Sequence, residues 1–164
     1  MKEQNIINVR LVAVSASEKY IDGKKIDNYD IFERFIESIG FSDFEHLYPF
    51  LIWNVTFWGK SIWASKNMIE LEENIHNILF PNIQYEYTNY CAANNITQSN
   101  ELDKKWLNSR CDSIVMWSHM YYSGDIFITR DNNFHKKEKK KRLLELGAKN
   151  IFTPAEACDY LANK

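Results

Sequence analysis

Residues 124–142, "GDIFITRDNNFHKKEKKKR", decide how the second half of the chain folds. "DIFIT" is a short apolar, β-branched run that reads as a strand, central and buried. It ends in Thr129, meets Asp131 in the turn-rich "RDNN", and passes into Lys136, Lys137, Lys139, Lys140, Lys141 and Arg142. Upstream, "CDSIVMWSHMYYSG" reads as a helix with Asp112 at its N-terminus and Gly124 at its end. Downstream, "KKEKKKRLLELG" is a helix stopped by Gly147, "KNIFT" a last strand and "TPAEACDYLA" a last helix. That helix has Thr153 as N-cap, Pro154 at N1 and Glu156 at N3, a capping box. Helix–strand–helix–strand–helix with crossovers of this size predicts parallel strands. The fold class expected is α/β, a mostly parallel central sheet between helical layers. Ligands of such sheets sit at the carboxyl ends of the strands, and Asp131 lies just past one.

Upstream the pattern is more mixed. "NVRLVAVSAS" suits a strand or a buried helix start, and "IDGKKIDN" a turn. "NYDIFERFIESIG" is a helix with Asn28 as cap, an apolar stripe from Ile31 to Ile39, and Gly40 as its stop. "LYPFLIWNVTFWGKSIWAS" is apolar nearly all round and predicts a buried helix broken near Gly59. "KNMIELEENIHNILFP" is an amphipathic helix ended by Pro81, so the section from about 43 to 80 reads as helical. "NIQYEY" alternates like a strand. From about 88 to 110 the chain is polar, an excursion that is functional or hides helix.

At 164 residues the chain fits one domain, 1–164, with a core of its own. Hydrophobic residues at 45% and charged residues at 26% exclude disorder. Aromatics at 15% are assigned mainly to the core, with one apolar surface left for a partner. A net charge of −2 excludes a generic polyanion binder, so nucleic acid would need a local basic patch. Cys91, Cys111 and Cys158 form neither a disulfide framework nor a CxxC zinc pair. With an N-terminal apolar run too short to span a bilayer, they point to a cytoplasmic protein without a membrane role.

Asp112 and Asp131 are candidates for one site, because a helix start lies beside the end of the strand it feeds. Converging carboxylates repel unless protonated or neutralised. Mg²⁺ or Mn²⁺ would remove the conflict, using few carboxylates plus substrate phosphate oxygens. Thr129 would hold an acid or a metal-bound water through its hydroxyl. Taken singly, Asp112 reads as an N-cap, Asp131 as a turn residue and the lysine run as a solvated helix face. As a phosphate-tracking patch, the run would bind without sequence preference and with salt sensitivity. His119, seven residues after Asp112, shares its helix face and reads as a packed histidine.

Together, "CDSIVMWSHMYYSGDIFITRDNNF", "LLELG" and "IFTPAEA" resemble the C-terminal part of a PIN domain, a metal-dependent ribonuclease fold. Asp112, Thr129, Asp131 and Phe134 match that family's pattern over the last third of the chain. The resemblance implies a further acid, Glu18 in "VSASE", as a third metal ligand, and RNA as substrate. It also implies an early strand ending in an Asp-Thr-Asn-like motif, which is not found ahead of "VSASE". Either the chain begins downstream of that strand, or the ligand has been lost. A missing strand would leave a sheet edge for a second copy or another protein to cover. The function expected is phosphodiester hydrolysis in RNA. The alternative is a catalytically impaired PIN-like module that binds nucleic acid or protein. A haloacid-type phosphatase is disfavoured, because its Asp-x-Asp motif after an early strand is absent.

Overall fold

The computed structural model describes residues 7–14, 20–21, 24–26, 28–98 and 101–163. Glu18 lies outside them, as do Asp22 and most of "VSASE". The chain is a mixed helix–strand protein with small parallel sheets. Strand β1 (Arg10–Val12) pairs in parallel with β4 (Glu45–Leu47), Arg10 opposite Glu45 and Val12 opposite Leu47. Between them come the antiparallel pair β2 (Tyr20–Ile21) and β3 (Lys24–Lys25) and helix α1 (Tyr29–Ser38). Asn28 caps α1 by accepting from the Ile31 N–H, and Gly40 follows at φ +79°. Phe32 and Ile36 then pack with Ala13, Ile26, Tyr29 and Phe57 in a small core.

The larger core lies where α2 (Lys66–Leu79) packs against α4 (Lys104–Tyr121). Ile75, Leu79, Ile114, Met116 and Trp117 are completely buried there. Helix α3 (Tyr87–Asn94) closes one end, ending at Asn95 in the left-handed region. Beyond α4, β5 (Ile126–Ile128) pairs in parallel with β6 (Asn150–Phe152), in the register Ile126–Asn150 to Ile128–Phe152. The crossover is a one-turn helix α5 (Asn132–His135) and α6 (Lys137–Leu146), with Gly147 at φ +121° ending α6. Helix α7 (Pro154–Ala162) begins at the Thr153–Glu156 capping box read from the sequence.

Four readings need correction. Residues 48–65, expected to be a buried helix, form turns with one parallel bridge between Phe50 and Ile62. Asn54 at φ +59° and Gly59 at φ +77° lie in a backbone region that a right-handed helix cannot use. The Thr56 hydroxyl ties the loop to itself, accepting from the Ile52 N–H at 2.8 Å. The section from 43 to 80 is therefore helical only from Lys66 onward.

"NIQYEY" is not a strand, because side chains take its carbonyls. His76 Nε2 is 2.9 Å from the Ile83 oxygen, and the Trp106 indole donates to Gln84 O at 3.1 Å. The polar excursion hides helix, one of the two readings its length allowed: it holds most of α3 and the first turns of α4. Finally, β5 is not a buried central strand: it belongs to a two-stranded sheet, and Ile128 is 52% exposed.

Candidate functional site

The true cap of α4 is Asp103. Its carboxylate accepts from the Lys105 and Trp106 N–H groups and from the Tyr90 hydroxyl. The Tyr90 bond and those backbone donors hold its pKa below the ordinary aspartate value. With that helix start fixed, Asp112 sits at mid-helix rather than at an N-terminus, which corrects both its expected position and its cap reading.

The geometry relating Asp112 to Asp131 follows from a ring contact. The His119 and Phe127 rings lie 5.4 Å apart, one point of contact between α4 and β5. From that contact Asp112 is seven residues up the helix, about 10 Å at 1.5 Å per residue. Asp131 is four residues along the opposite, extended arm, about 13 Å at 3.3 Å per residue. By these paths each aspartate lies within about 13 Å of the ring contact. Among the described residues, however, no three His, Cys, Asp or Glu side chains gather as a metal site.

Around Asp131 the backbone is held by local bonds. Its N–H donates to the Thr129 hydroxyl at 3.1 Å, and its Oδ1 accepts from the Asn133 N–H at 2.8 Å. Asp131 thereby caps α5, realising the turn chemistry of "RDNN" while leaving its carboxylate on the surface. Thr129 is fixed by its N–H to Phe152 O at 3.0 Å, with His135 Nε2 3.0 Å from its carbonyl. Thr129 therefore orients Asp131 directly.

The basic run divides. Lys136, Lys137, Lys141 and Arg142 are exposed, and Lys141 reaches Glu145 at 3.8 Å. Lys140 is half-buried beside the Phe152 ring. Lys139 turns inward, donating to the Leu79 carbonyl and, at 2.6 Å, to Asn133 Oδ1. Burial, with Lys136 nearby, lowers its pKa. It satisfies the carbonyl end of α2 and so joins α6 to the core helix.

Sequence reasoning missed a buried polar cluster between α2 and α4. Arg110 Nη2 stands 2.9 Å from Glu72 Oε2, with both side chains almost wholly enclosed. The guanidinium carbon lies 3.9 Å from the Tyr85 ring centroid. Burial raises the Glu72 pKa to about 7 against the lowering effect of Arg110. Beside it, His76 contacts Ser113 Oγ at 3.4 Å, and burial lowers its pKa to about 4. The available signal was the stripe Met68, Glu72, Ile75, His76, Leu79, whose spacing puts an acid and a histidine on the core face of α2. This cluster fastens two helices and presents no open face to a ligand.

No family model, no curated protein and no solved structure matches the chain.

Proposed function

We propose that the chain is a PIN-like, metal-dependent nuclease that hydrolyses phosphodiester bonds in RNA. The observation that supports this reading is Asp131 at the carboxyl end of a parallel-paired strand, with Asp112 on the helix whose His119 ring meets Phe127 of that strand. Mg²⁺ is commonly bound through one or two carboxylates while keeping several waters, so two aspartates suffice in number. Asp112 and Asp131 would hold Mg²⁺ or Mn²⁺, with Glu18 as the third acid that the family resemblance implies. The bound ion would supply Lewis-acid polarisation of the phosphate and a water of lowered pKa. Thr129 aims the Asp131 backbone, and the exposed Lys136, Lys137, Lys141 and Arg142 offset phosphate charge.

The test is Mn²⁺-dependent cleavage of a labelled single-stranded RNA. Asp112→Asn and Asp131→Asn should each slow it about 100-fold or more, since losing a group that only supports a metal ligand already costs about 10- to 100-fold. Variants that cleave as fast as wild type refute the assignment. A second reading, a non-catalytic RNA-binding module on the same scaffold, is favoured by the aromatic-rich middle section, whose Trp53, Trp58 and Trp63 are exposed. It predicts no cleavage by the wild-type chain and RNA binding that is indifferent to the metal.

A further inference from the structure

The loop 48–65 is unusual in what it leaves outside. Its Val55, Phe57 and Phe50 are buried, and Leu51, Ile52 and Ile62 are half-buried. Trp53, Trp58 and Trp63, in contrast, are 72%, 71% and 85% exposed. Every exposed large apolar side chain in the loop is therefore a tryptophan. The residues exposed alongside them are small or polar: Asn54, Gly59, Lys60, Ala64 and Ser65. What the loop presents is ring faces set apart by polar residues.

Charge narrows the occupant. From Leu47 to Ile69 the chain has no acid and two lysines, Lys60 and Lys66, in a protein of net charge −2. Lys66 reaches Glu70 at 3.5 Å. Lys60, between Trp58 and Trp63, is steadied with its Nζ 4.6 Å from the Tyr29 ring centroid. Trp53 and Trp58 stand edge to face at 5.7 Å, so one ring braces the other. Aromatic faces beside Lys60, in a stretch of chain without acids, suit a polyanion whose bases are free to stack.

We propose that Trp53, Trp58 and Trp63 form a base-stacking platform for single-stranded RNA, with Lys60 facing its phosphates. The choice of RNA rests on the function proposed above, whereas the stacking itself needs neither metal nor the aspartates. With Lys60 facing phosphate, the platform contributes a log–log slope of about −0.7, or roughly a 2.6-fold loss from 50 to 200 mM salt.

The experiment is anisotropy of fluorescein-labelled U12 on the full chain in EDTA, where no cleavage occurs. Each Trp→Ala change should weaken binding about 5- to 150-fold, Trp58→Phe should keep most of the affinity, and duplex RNA of equal length should compete poorly. The residues are on the surface, and unchanged far-UV circular dichroism checks that the variants fold. A wild-type chain that binds U12 in EDTA but fails to cleave it with Mn²⁺ sinks only the nuclease reading. Cleavage with U12 affinity indifferent to all three tryptophans sinks only the platform. Capture by phosphatidylcholine vesicles that is lost in Trp58→Ala assigns the loop to a bilayer and overturns the proposal. Wild-type dimers that Trp63→Ala dissociates assign it to a second copy and overturn the proposal equally.

Discussion

Removing either member of the Glu72–Arg110 pair should destabilise the fold, but with opposite dependence on pH. Glu72 is wholly buried, and its pKa rises from 4.5 to about 7 on folding. A carboxyl whose folded pKa is raised contributes stability that is complete below about pH 4.5 and lost as pH passes through about 7. In wild type the penalty for burying Glu72 is about 2 kcal/mol at pH 6 and levels off near 3.4 kcal/mol by pH 8.5. In Arg110→Met the carboxyl has no cation beside it and stays protonated, so the penalty keeps growing. It matches wild type at pH 6 and exceeds it by about 2 kcal/mol at pH 8.5. To that is added about 1–2 kcal/mol, independent of pH, for the lost stacking on Tyr85.

Glu72→Leu behaves in reverse. It strands a guanidinium that cannot give up its proton, costing about 3–5 kcal/mol. It also removes the Glu72 penalty, so its cost falls by about 1.4 kcal/mol from pH 6 to 8.5. Urea denaturation of both variants at pH 6, 7 and 8.5 reads these slopes. Parallel or flat curves for the two variants would show that the pair is not coupled through the Glu72 proton.

Two further outcomes follow from the same geometry. Lys139→Met should cost about 1–2 kcal/mol in urea denaturation through loss of its bonds to Leu79 O and Asn133, whereas the exposed Lys137→Met should stay within about 0.5 kcal/mol. His119 is 6% exposed, with its pKa lowered by burial to about 4, so its contribution is present above pH 6.5 and is lost as pH falls toward 4. His119→Gln should therefore flatten the acid limb of the stability curve by about 3 kcal/mol, and an unchanged limb would assign acid unfolding elsewhere.

The C-terminal third was legible because its signals are local. Thr153, Pro154 and Glu156 cap α7 through bonds spanning three residues, and Gly147 stops α6 by its own backbone angle. Where the decisive contact is distant in sequence, the reading failed. Asp112 looked like a helix start because nothing nearby shows that Asp103, held by Tyr90 from α3, already opens the helix. Loop 48–65 is apolar enough for a helix, yet its tryptophans recur every five residues, which steps about 140° round a helix and makes no stripe. That spacing was visible and argued against the helix. Lys139 was indistinguishable from its neighbours, since its acceptor lies 60 residues away at the end of α2.

Helix α4 carries both the stability and the proposed chemistry, and its periodicity keeps the two separable. Arg110 points into the α2 interface. Asp112, two residues on, is turned about 200° round the axis, away from that interface. His119, seven residues beyond Asp112, returns to within about 20° of it, and its ring meets Phe127 of β5. One side of the helix is thus bound to the core through a buried ion pair, and on the other His119 meets Phe127 of β5. An Asp112→Asn change, which keeps the side chain's shape and its capacity to hydrogen-bond, should lower the urea midpoint less than Arg110→Met while slowing any metal-dependent cleavage about 100-fold. Arg110→Met should lower the midpoint while cleavage per folded molecule persists. A shared loss of both properties in either variant would mean that the two faces of α4 are not independent.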